Sequence, residues 1–112
     1  MDQVQEVTEE LAAAILKSLE YVRYQEARKE IARYPMLKKR ADEFRKRNYD
    51  LQNSNADIFG EADSLRQEYA YITQNAIVWE YLDAESAFCR VMQRVNWKLM
   101  EGLDFELGFE DR

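Results

Sequence analysis

The sequence predicts an all-α fold of four or five helices, ending in a long C-terminal helix or helix pair, and three observations carry that expectation. Gly occurs three times and Pro once in 112 residues, too few for the tight turns and bulges that an all-β chain needs. Apolar residues recur at steps of three and four, the spacing that places them on one face of a helix. From Glu61 to Glu101 there is neither Gly nor Pro, so nothing in that stretch forbids a continuous helix. The hydrophobic fraction of 46% supports a packed core, and the length fits one domain or one subunit of an assembly. Residues 1–103 are read as a single helical domain and 104–112 as a short acidic and aromatic tail.

The first helix is marked by Val4, Val7, Leu11 and Ile15. A second stripe, Tyr24, Ala27, Ile31 and Tyr34, follows in a changed phase. Ser18 either caps a new helix through its hydroxyl or lies inside one continuous helix. Pro35 is the firmest boundary, because it disfavours helical geometry at Tyr34 and suits the first turn of a new helix. The third helix is expected from Pro35 to about Asn53, with Leu37, Phe44 and Leu51 recurring at seven and Ala41, Asn48 and Asn55 beside them. Asn at such a seam sets register or faces solvent.

Asn53, Asn55 and Asp57 have the alternate spacing that opens a calcium loop. No frame supplies both the turn Gly and the twelfth-position Glu, so 53–60 reads as a connection with a helix starting after Gly60. Beyond it, Ala62, Leu65, Tyr69, Ile72, Ala76 and Trp79 form one stripe. Ile77, Tyr81, Ala84, Phe88, Val91, Val95 and Leu99 form a second, offset from the first. The region is either one long helix or two meeting near Asn75. A continuous version would be about 60 Å long, more than a compact domain of this size uses. The second stripe is therefore predicted to complete the bundle by self-association, as a dimer or higher homo-oligomer. After Gly102, Leu103, Phe105, Leu107 and Phe109 alternate with Asp104, Glu106, Gly108 and Glu110, which fits a frayed tail or an extended docking peptide.

Composition excludes several kinds of chemistry. His is absent, which removes Ser-His-Asp and Cys-His pairs, histidine zinc sites and the Glu-x-x-His di-iron bundle. Cys89 is the only cysteine; it reads as a small buried hydrophobe, or as one thiol of a cluster or disulfide shared between chains. The three glycines never approach a phosphate-loop spacing. Asp83 and Glu85 are the best carboxylate pair, and a solvated or salt-bridging role is the expectation for them. No catalytic residue, metal ligand or cofactor is predicted. No apolar run approaches the length of a membrane span, and the N-terminal segment has no signal-peptide pattern, so the expected location is the cytoplasm.

Charge is unevenly placed. The chain carries a net −6, yet between Arg28 and Arg47 nine Lys and Arg face three acidic residues. On the third helix Lys38 and Arg45, Lys39 and Lys46, and Arg40 and Arg47 each repeat at seven, giving a broad positive face. Lys38, Lys39, Arg45 and Lys46 are therefore the candidate partner-binding face, for an acidic protein or an RNA backbone. Direct nucleic-acid binding is disfavoured by the surrounding negative charge and by the core-like phasing of most aromatics.

The run Glu10-Leu11 through Tyr34-Pro35, then Leu37, Phe44 and Leu51, then Asn75-Ala76-Ile77 and Tyr81-Leu82-Asp83-Ala84-Glu85 leading into Phe88 to Leu99, resembles the YlbF/YmcA family of small bacterial helical proteins over roughly residues 4–103. The resemblance rests on diffuse apolar patterns. It implies an all-helical, self-associating cytosolic regulator of competence, sporulation and biofilm formation. It also implies a complex that modulates RNA processing by a membrane-bound endoribonuclease. Some members hold iron-sulfur clusters through cysteines near their ends; Cys89 alone does not match that pattern. The functional expectation is a non-enzymatic regulatory adaptor acting through protein–protein contacts, with proteins of an RNA-processing complex among its partners. A direct RNA-binding module using the basic helix and a purely structural oligomer are the alternatives.

Overall fold

The computed structural model describes residues 2–53 and 58–103. Among them the chain forms six helices and no strand: α1 (Gln3–Leu16), α2 (Leu19–Ala32), α3 (Pro35–Gln52), α4 (Ile58–Glu68), α5 (Ala70–Thr73) and α6 (Ala76–Glu101). Each boundary has a local cause. Asp2 caps α1 by accepting from the Gln5 N–H at 2.8 Å. Ser18 is extended and accepts from the Tyr21 N–H at 3.3 Å, which resolves the two readings of that residue in favour of a break. Pro35 occupies the first turn of α3, where its missing N–H is not needed.

The last region breaks twice rather than once. Asn75 is extended, and its side-chain oxygen accepts from the N–H groups of Ile77 at 2.9 Å and Val78 at 3.2 Å, starting α6. The earlier break falls at Tyr69, whose ring is held by Phe44 at 5.6 Å between centroids and by Arg47 at 5.5 Å. The single turn α5 joins the two and brings Ile72 to the core. The break at Asn75 also resets the helical phase. Leu65, Tyr69 and Ile72 are buried as their stripe predicts, but its last two members, Ala76 and Trp79, are exposed and Val78 and Tyr81 take over inside. Helix α4 starts at Ile58, before Gly60 and not after it, so Gly60 lies in its first turn.

Helix α2 lies along α6, antiparallel to it: Tyr21 and Tyr24 meet Phe88 at 5.3 and 5.9 Å, and Tyr24 stacks on Tyr81 at 6.5 Å. Helix α3 crosses both, and α4 and α5 close over α3. Ile31 and Val78 are fully buried at the centre, and Ala27, Ala41 and Ala84 sit around them as small contacts that let the helices approach. Leu37, Phe44 and Leu51 pack against this core from α3 as their heptad spacing predicts.

The molecule is a slab, 50 × 38 × 17 Å, with a radius of gyration of 17.8 Å. A compact domain of this length has about 13 Å. The excess has a specific source: α1 packs only on α2, contains no buried residue, and makes no contact with α6. Beyond Ala84 no residue of α6 is fully buried either.

Ile31→Ala is expected to lower the unfolding free energy in urea by about 3 kcal/mol, from lost burial plus a cavity. Asn75→Ala should cost about 1 kcal/mol through the lost cap. Trp79→Ala, at an exposed position, is expected to cost less than about 0.5 kcal/mol.

Candidate interaction site

The candidate basic face of α3 is mostly turned to the chain's own acids. Asp42 is central: it accepts from the Tyr81 hydroxyl at 3.0 Å and from Arg45 Nη1 at 3.0 Å, and it pairs with Lys38 one turn earlier. Arg45 also forms a fork on Glu85 of α6, with Nε at 2.8 Å from one carboxylate oxygen and Nη2 on the other. Lys38 and Arg45 both stand over the Tyr81 ring, at 5.5 and 5.6 Å. On the other side of α6, Arg23 of α2 binds both oxygens of Glu80 at 2.7 and 2.9 Å and Asp83 at 2.8 Å. Arg47 reaches Glu68 and the Tyr69 hydroxyl of the α4–α5 junction.

Of the four predicted partner-binding residues, Lys38 and Arg45 thus belong to a clamp between α3 and α6. Lys46 is exposed but pairs with Asp50 at 3.2 Å. Lys39 is exposed and has no ion-pair partner among the described residues. The structure therefore does not gather the four into one free cationic surface.

The titration shifts follow from the pairing. Burial raises the Asp42 carboxyl, but hydrogen bonds from Lys38, Tyr81 and Arg45 outweigh it and hold the group below the ordinary carboxylate range. The hydrogen bond from Arg23 does the same for Glu80. Burial pushes the Tyr81 phenol up. Asp83 and Glu85 are split between different cations, Arg23 and Arg45. Acids held this way fasten helices.

Seven residues were predicted to form a self-association face on α6. Tyr81 and Ala84 are buried in the chain's own core, Ile77 packs against that core, and Phe88 is stacked on α2. Val91 and Val95 are half-buried and Leu99 is exposed. The accessible part of the stripe is therefore its C-terminal end. Cys89, expected to be buried, is exposed, because its position on α6 turns away from the side occupied by Phe88. Trp97 is 70% exposed beside Arg90, Arg94 and Lys98, around an open depression of about 570 Å³. Sequence phasing placed most aromatics in the core and missed this one; the repeat of three cations every four residues was the available signal. A second depression, about 550 Å³ between α3 and α4, is spanned by the Arg47–Glu68 pair.

No group of three or more potential metal-ligating side chains occurs among the described residues, and no described helix is long and apolar enough to cross a membrane. Asn55 and Asp57 of the calcium-like spacing, and 104–109 of the alternating tail, lie outside the described residues. The geometry defines a helical protein whose charged groups are structural fasteners and whose open surfaces are helix faces.

The chain belongs to the YlbF/YmcA family. A family model described as "Control of competence regulator ComK, YlbF/YmcA" matches residues 4–104. Among curated proteins it is similar to a UPF0342 protein of Caldicellulosiruptor bescii, 26% identical over 123 residues and covering the whole of both chains. A UPF0342 protein of Caldicellulosiruptor saccharolyticus is 25% identical over 114 residues, covering 95% of this chain and 92% of its own. No solved structure matches. The family's description is that of regulators, in accord with the regulatory role expected from the sequence.

Asp42 and Glu80 have folded-state values below their unfolded ones, near about 4. Their stabilisation is therefore complete above that pH and is lost as pH falls through the folded values. Urea midpoints are expected to hold between about pH 7 and 5 and to fall below about pH 4. Asp42→Asn should lower the midpoint at neutral pH and flatten the acid fall; an unchanged pH profile would remove Asp42 from this role.

Proposed function

We propose that the chain is a non-enzymatic regulatory adaptor that acts through protein–protein contacts, including contacts with copies of itself. The observation that carries this reading is the fate of the basic helix. Lys38, Arg45 and Arg47 are bound to Asp42, Glu85 and Glu68 of the same chain, while large apolar side chains such as Val4, Leu19, Trp97 and Leu99 stand in solvent. Cations already paired have less to gain from phosphates, and exposed apolar groups on helices favour partner helices. The family's regulatory description agrees with an adaptor, and protein components of an RNA-processing complex are the partners it would serve.

Capture of the native protein from its host, with and without nuclease, is expected to retain the same protein partners. Lys39→Glu with Lys46→Glu, both exposed, should leave that capture unchanged. If the purified protein instead binds single-stranded RNA with an affinity that falls steeply with salt and is lost in that double variant, the chain is an RNA-binding module.

A further inference from the structure

One end of the slab has exposed apolar surface and no core. The α2 N-terminus lies by Phe88, since Tyr21 packs there, so Leu16, Leu19 and the final turns of α6 occupy the same end. Among the described residues, nine of the fourteen exposed large hydrophobics fall on α1, the start of α2, or α6 and its end beyond Phe88. None of the fully buried residues does. A helix the length of α1 is marginal in water unless an apolar face is covered, and Val4 at 76% exposure and Val7 at 52% are uncovered.

The charges at this end are segregated by helix. Residues 1–16 contain Asp2, Glu6, Glu9 and Glu10 and no Lys or Arg, whereas 86–100 contain Arg90, Arg94 and Lys98 and no acid. The two segments do not meet within the chain. Their patterns also match in register. On α1, Glu6 and Glu10 immediately precede Val7 and Leu11; on α6, Arg90, Arg94 and Lys98 immediately precede Val91, Val95 and Leu99. In each helix the charged strip therefore lies about 100° to the same side of the apolar strip. When two helices pack antiparallel through their apolar strips, flanks of the same hand fall opposite each other; in parallel packing they fall on opposite sides. Antiparallel packing thus sets the acids of α1 beside the cations of α6.

We propose that α1 of one copy docks antiparallel on the C-terminal half of α6 of a second copy, with Glu6 and Glu10 facing Arg90, Arg94 and Lys98, and that the reciprocal contact closes a two-fold dimer. The proposal rests on the self-association included in the adaptor reading and names its interface. A second copy is the occupant because each chain supplies both complementary halves, which is what a two-fold interface requires. Doubling the contact brings four helix faces into the interface. Arg94 has no ion-pair partner among the described residues, and Arg90 donates only to the Ser86 hydroxyl, so both are available; Lys98 pairs with Glu101 at the end of α6 at 2.8 Å and would share its charge between the two. Trp97 lies beside the cationic strip, on the flank away from Val95 and Leu99, and stays exposed in the pair.

The test is sedimentation velocity on the full chain at low and high salt, with helicity checked by circular dichroism. Wild type is expected to dimerise, more weakly at high salt. Glu6→Lys with Glu10→Lys, and separately Arg90→Glu with Arg94→Glu, should each raise the dissociation constant about tenfold or more. Combining all four changes should restore it, a recovery that misfolding cannot mimic. Dimers whose affinity ignores both pairs, or that the combination fails to restore, would overturn this interface while leaving self-association standing. A monomer at about 100 μM, or open-ended growth, would overturn the closed pair itself. So would a monomeric wild type whose Trp97 fluorescence is quenched by oligouridylate, which would make the patch a nucleic-acid site.

Discussion

The contact on which the rest of the arrangement depends is the Tyr81 hydroxyl on Asp42. Tyr81 is buried to the ring, and its oxygen must find a partner where α3 crosses α6. Asp42 supplies it, and the charge this brings to the crossing is balanced by Lys38 and Arg45 from the same helix. Arg45 then extends the balance to Glu85. One buried phenol thereby fixes the rotation of α3 about its axis, and with it the direction in which Leu37, Phe44 and Leu51 meet the core. Arg23 holds the opposite flank of α6 against α2 through Glu80 and Asp83. The long helix is thus gripped on two sides by arginines over its first three turns, and Phe88 is held by Tyr21 and Tyr24 one turn further on.

This explains how the charge pattern misleads when read along the chain alone. The positive run from Arg28 to Arg47 is real, but a helix has several faces, and the acids that meet it include Glu68 on α4 and Glu85 on α6 as well as neighbours such as Asp42 on the same helix. Pairs within a helix, such as Lys38 with Asp42, are visible as four-residue spacings. Pairs between helices, such as Arg45 with Glu85, require knowing which faces touch. The start of α3 was legible for a local reason, since Pro35 acts through backbone geometry that neighbours do not override, whereas Ser18 fitted both a cap and a continuous helix, and the hydrogen bond it accepts from the Tyr21 N–H decides between them. The phase of the apolar stripes was legible only within each helix. Where Asn75 interrupts the chain, Ala76 and Trp79 continue a pattern that the backbone does not, so one end of the stripe lands in solvent. Cys89 shows the same limit from the other direction, since a small apolar residue next to Phe88 says nothing about which way its own position faces.

The family's regulatory character fits a structure in which charge serves cohesion and apolar surface is left for contact. The fasteners cluster at the end with the core, and the open faces cluster at the other. The two ends differ in what holds them: near Asp42 ion pairs and the core fasten the helices, whereas near Trp97 the helix faces stand open.

The thickness of the slab has a further consequence. At 17 Å between its outermost backbone positions, the described fold is less than two helix diameters through. A layer that thin cannot surround a small molecule, and its depressions are open on one side. A small molecule resting in either depression would keep one side in water, and every broad face of the slab is within a helix or two of the other.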